Sequence, residues 1–180
     1  MNPLALPERD TEGGARILKV NHAGEHGAVQ IYTAQLMVAR FTAPQLLPVL
    51  REFKSHEAGH RARFGAELQR RGVSRCRSFA LCAFGGWVLG LMTGLCGRSA
   101  IAATTVAVER VVLRHLEQQM MILRHSDPAA FRTVAAIVAE EQAHHDELAQ
   151  HLPRRRFWTH GLERFVACST EAVIWLGMRL

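Results

Sequence analysis

The chain has 180 residues, 48% hydrophobic and 21% charged, with a formal net charge of +6 carried mostly by Arg. That length allows one domain with a full core, and the composition excludes a disordered chain. The basic excess points to an anionic partner, while Cys76, Cys82, Cys96 and Cys168 form no Cys-x-x-Cys pair and read as buried thiols in a reducing compartment, excluding a disulfide frame or a zinc site.

Met1 to Gly14 contains Pro3, Pro7, Glu8, Asp10 and Glu12 and no apolar core. It matches neither a secretion signal nor a transit peptide, so residues 1–13 read as a flexible arm and 14–180 as one domain. A first helix is expected over 14–41, with an inward stripe of Leu18, His22, Glu25, Val29, Tyr32 and Leu36. Thr42-Ala43-Pro44 turns the chain. Pro44 and Pro48 open a second helix over 45–71, which carries Leu50, Phe53, Glu57, His60 and Phe64 on one face and is capped by Gly72.

Residues 79–96 carry no charge and reach the minimum for a membrane span. Gly85, Gly86, Gly90 and Gly94 make a poor autonomous helix. A helix lying in the membrane interface, with Trp87 near the surface and Arg70, Arg71, Arg75 and Arg77 at its flank, is the preferred reading. A buried helix or an oligomer contact is the alternative. Gly97-Arg98-Ser99 breaks the chain. A third bundle helix follows over 99–125 with the stripe Ala102, Thr105, Glu109, Val112, Leu116 and Leu123. Ser126-Asp127-Pro128 caps a fourth over 128–152, with Val134, Ile137, Glu141, His144 and Leu148. Arg154, Arg155 and Arg156 then precede a second apolar helix over 157–180, rich in aromatic residues. Two Arg-flanked apolar helices read as paired membrane-facing elements, which favours a lipid surface over nucleic acid as the anionic partner.

The stripes carry one chemical unit twice: a lone Glu, then a Glu-x-x-His pair. Glu25 precedes Glu57 and His60 at the same spacing as Glu109 precedes Glu141 and His144. A Glu and a His three apart share one face of a helix. One Glu from each of two helices and a Glu-x-x-His from each of the other two is the pattern of a four-helix bundle holding two metal ions. A buried, uncompensated carboxylate costs several kcal/mol. Four converging on one core would unfold a domain whose stability is about 5–15 kcal/mol, and cations would remove that conflict. Oxygen donors with little nitrogen suit iron or manganese better than structural zinc. Six protein ligands leave open positions on two ions, so oxygen activation is the natural use; storage and peroxide scavenging need the same ligands.

The stretches Val20-Asn21-His22-Ala23-Gly24-Glu25-His26-Gly27-Ala28, Glu57/His60, Thr105-Val106-Ala107-Val108-Glu109 and Glu140-Glu141-Gln142-Ala143-His144-His145-Asp146 resemble the demethoxyubiquinone hydroxylase family, over about Arg16 to Leu180. The resemblance implies an all-α, ferritin-like four-helix bundle with two additional apolar, membrane-facing helices. It implies a di-iron monooxygenase that uses O₂ and an external reductant to hydroxylate the ring of a polyprenylated demethoxyubiquinol in ubiquinone biosynthesis. The iron ligands fall on Glu25, Glu57, His60, Glu109, Glu141 and His144, with His22 and His115 as candidates for supporting them. Expected partners are the membrane surface, the prenylated quinol, a lipid-presenting protein and a second copy of the chain, with no nucleic acid. The expected location is the cytoplasmic face of a bacterial inner membrane, or the matrix face in a mitochondrion. A ferritin-like protein of another role is the alternative: peroxide scavenging, iron binding or hydroxylation of a different substrate. Three features depart from the family pattern: His26 replaces an uncharged residue, Leu116 replaces a common Tyr, and no Pro lies over 73–77. Tyr32 is the only tyrosine.

Overall fold

The computed structural model describes residues 8–151 and 157–180, with side chains over 12–138, 140–142 and 158–180. The described residues form six α-helices and one short 3₁₀ turn, with no strand. The helices are α1 (Glu8–Thr42), α2 (Leu47–Arg70), α3 (Phe79–Leu95), α4 (Arg98–Ser126), α5 (Pro128–His151) and α6 (Phe157–Gly177), and the turn is Pro44–Leu46. The boundaries fall within a few residues of those expected, with one clear exception. Helix α1 starts at Glu8 rather than 14, so residues 8–13, expected in a flexible arm, are helical.

Local chemistry ends the helices. Gly72 adopts φ 64° just beyond α2. Its amide donates to the Gln69 carbonyl and that of Val73 to Leu68, the paired bonds of a Schellman stop. Asp127 caps α5 by accepting from the Ala130 amide at 3.0 Å. It also receives both arms of Arg71, at 2.5 and 3.0 Å, tying the end of α2 to the start of α5.

Helices α1, α2, α4 and α5 form the bundle; α3 lies along α1 and α6 along α4. The bundle core has two apolar ends. Tyr32, Leu50, Phe53, Ile101 and Val106 fill one. Leu18, Phe64, Leu68, Leu116, Leu123, Val134 and Ile137 fill the other. Fully burying each large side chain is worth about 1.5–3 kcal/mol. Along α1 the order is Leu18, Glu25, Tyr32; along α2 it is Phe53, Glu57, His60, Phe64; along α4 it is Val106, Glu109, Leu116. The acidic residues thus occupy one layer, clamped between two apolar ones.

The glycines of α3 have a packing role that helix propensity does not reveal. Gly86, Gly90 and Gly94 stand one turn apart on the face against α1. A Cβ at Gly86 would fall on the Gly27 carbonyl oxygen, one at Gly90 on that of Ile31, and one at Gly94 on the Val38 side chain. Removing the side chains lets the two backbones nearly touch. Leu81, Phe84, Val88, Met92 and Leu95 are left exposed on the opposite side of α3. Among the described residues no helix is long and apolar enough to cross a membrane. The second basic run, Arg154 to Arg156, lies outside the described residues.

Candidate metal centre

Glu25 from α1, Glu57 and His60 from α2 and Glu141 from α5 each bring one donor atom into a group whose members all lie within 4.8 Å of one another. All four are buried, His60 completely. His60 turns Nδ1 inward, 2.7 Å from Glu141 Oε1 and 3.7 Å from Glu57 Oε2. Glu109, from α4, borders the group beside Glu141 and is also buried. Its Oε1 accepts a hydrogen bond of 3.0 Å from the Tyr32 hydroxyl, whose ring packs edge-on against Phe53. The His144 side chain lies outside the described residues.

Electrostatics show what this layer lacks. Burial first, and the Glu57 charge next, push the Glu25 carboxyl well above the usual range. Burial and then Glu141 do the same to Glu109. Glu141 is raised by burial and by Glu57, with His60 opposing. Burial alone would lower His60, but its bonds to Glu141 and Glu57 prevail and carry it up to about 10. Without a cation, the carboxylates limit their mutual repulsion by keeping protons. Hard oxygen donors, an inward imidazole nitrogen and an excess of negative charge together fit iron or manganese.

The two supporting candidates lie further out. His22 stacks on the Phe79 ring, centroids 5.0 Å apart, and His26 stacks on the same ring at 4.1 Å. His115 borders the cleft described below and its Nε2 lies 2.8 Å from Glu171 Oε2 of α6. Three further residues act on the layer through contacts that only the fold reveals: Tyr32, Glu140 and Arg63. Tyr32 was visible on the α1 stripe; no spacing signal links Glu140 on α5 to Arg63 on α2.

A cleft of about 670 Å³ opens between α3 and α6 and ends on Glu25, Glu57, Glu109 and Glu141. Its walls include Leu81, Phe84 and Val88 of α3 and Leu162, Phe165 and Val173 of α6. This cleft thus joins an apolar surface to the acidic layer.

Residues 13–177 match the family described as "Ubiquinone biosynthesis protein COQ7", and the chain belongs to that family. The mouse protein named "NADPH-dependent 3-demethoxyubiquinone 3-hydroxylase, mitochondrial" is 30% identical over 168 residues, covering 91% of this chain and 76% of its own. The protein of the same name from Dictyostelium discoideum is 30% identical over 168 residues, covering 92% and 76%. A "3-demethoxyubiquinol 3-hydroxylase" from Rhodospirillum rubrum is 33% identical over 131 residues, covering 73% and 61%.

Proposed function

We propose that this chain is a di-iron monooxygenase that hydroxylates the ring of a polyprenylated demethoxyubiquinol in ubiquinone biosynthesis. The carrying observation is the apolar cleft that ends on the buried carboxylate layer. A cage-type storage protein has no need of such a cleft. Glu25, Glu57, His60, Glu109, Glu141 and His144 would hold two iron ions, which when bound and reduced would supply electrons to activate O₂. The residues 14–180 act as one domain. Phe84, Leu81 and Phe165 receive the prenyl tail, and the ring end lies toward the acidic layer on which the cleft ends. The same walls exclude water from the reacting ring. Tyr32 holds the Glu109 carboxylate in place through its hydroxyl.

The exposed apolar faces of α3 and α6 rest on a membrane surface, where so insoluble a substrate resides. The enzyme is then peripheral, on the cytoplasmic face of a bacterial inner membrane or on the matrix face in a mitochondrion. The mouse relative is named as NADPH-dependent, which supports an external reductant here. A lipid-presenting protein and a second copy of the chain remain the expected partners. Anaerobic loading with ferrous iron tests the reading. The wild type should hold about two irons per chain, and Glu57→Ala with Glu141→Ala should hold none. Turnover of a demethoxyquinol in vesicles under ¹⁸O₂ should then label the product ring. A folded wild type without iron would end this reading.

A further inference from the structure

His60 has a second ring nitrogen, and it faces outward. Nε2 lies 2.9 Å from Glu140 Oε2, while Nδ1 faces the acidic layer. The other oxygen of Glu140 accepts from Arg63 Nη1 at 2.7 Å. Arg63 stands three residues after His60 on α2, so both reach the same face of α5. Glu140 is thereby held by two groups of α2. The Arg63 side chain is 46% exposed and that of Glu140 38%. An exposed ion pair of this kind adds little to folding, so stability does not account for the Arg63–Glu140 contact. With one oxygen held by Arg63, Glu140 presents the other to the imidazole Nε2 as its acceptor.

We infer that Glu140, held by Arg63, is a positioning residue that aims His60 Nδ1 at the metal. An imidazole bound through one nitrogen is oriented, and made a stronger donor, when the other N–H is held by a carboxylate. Neighbours on one helix then divide the work: Glu141 faces into the layer and Glu140 reaches round the outside of His60. The inference rests on the metal reading above.

The test uses Co(II) on the full chain, with affinity taken by competition against a chromophoric chelator and the visible spectrum of the bound ion recorded. Glu140→Ala should weaken binding about 10–100-fold and alter the spectrum. Glu140→Gln, which keeps an acceptor, should retain more of the affinity. Arg63→Met should shift it in the same direction by less. The thermal midpoint of the metal-free protein should stay near that of the wild type in all three. Unchanged Co(II) affinity and spectrum in Glu140→Ala overturns the inference and leaves the metal reading intact. A lowered midpoint with unchanged affinity also overturns it, by making the role structural. A wild type that binds no Co(II) overturns both.

Discussion

At the scale of single residues, several buried carboxyls stand against one another around His60. Glu25, Glu109 and Glu141 are shifted up, and His60 reaches about 10. A group whose folded value exceeds its unfolded one adds stability at low pH and loses it as pH rises toward the folded value. For the carboxyls this loss begins near their ordinary value of 4.5; for His60 it spans 6.5 to about 10. The metal-free protein should therefore become less stable as pH rises from 6.5 to 9, by up to about 1.4 kcal/mol per pH unit for each proton retained on folding. Urea unfolding at a series of pH values measures the slope. Iron should flatten it, because bound metal replaces those protons. A flat profile in the metal-free protein would mean that the layer is ionised and balanced in some other way.

At the scale of helices, each contact depends on a few positions. On α3, Gly90 and Gly85 make a matched pair. Ala in a helix interior is favoured over Gly by about 1 kcal/mol. A Cβ at Gly85 meets nothing within 4 Å, but one at Gly90 meets the Ile31 backbone, which cannot yield as a side chain can. Gly85→Ala should stabilise the protein, and Gly90→Ala should destabilise it by about 1–3 kcal/mol, both read by urea unfolding. Asp127 makes the second joint. Burial raises its carboxyl, but Arg71 and the Ala130 amide outweigh burial and the value ends below normal. A lowered carboxyl contributes above its unfolded value, about 3.9, and the contribution is lost as pH falls through the folded one. The gap in stability between wild type and Asp127→Asn should stay constant at neutral pH and close below about pH 4.

These contacts also mark what was legible in the chain. The bundle helices could be read because their stripes follow the helical period, and the layer because its spacing repeats. The Asp127 cap and the Gly72 stop were visible as local signals. The glycines of α3 were read as helix weakeners, since propensity describes a helix alone and says nothing of the neighbour that needs their missing side chains. Glu140 stood in a recognised motif without a role, because its partners His60 and Arg63 are brought to it only by the packing of α2 against α5.

At the scale of the whole molecule, α3 and α6 turn an apolar surface outward around the mouth of the cleft. Phe84 is 68% exposed and Phe165 64%, and both line the cleft. On a bilayer each ring would pass from water into the interface. Full burial of a Phe is worth about 1.5–3 kcal/mol, and 1.4 kcal/mol is a factor of ten in affinity. About two thirds of each ring is available for burial, so replacing both with Ser should weaken binding to anionic vesicles by about tenfold to several hundredfold. The Arg residues ahead of α3 add an attraction that salt screens, so 1 M salt should weaken wild-type binding only in part. Co-sedimentation with vesicles at two salt concentrations separates the two contributions. If the apolar faces instead cover a second copy of the chain, the double Ser variant would dissociate a dimer in sedimentation velocity and leave vesicle binding unchanged. Loss of vesicle binding with iron loading intact would place the membrane contact in α3 and α6 and the metal layer in the bundle behind them, as two separable parts of one fold.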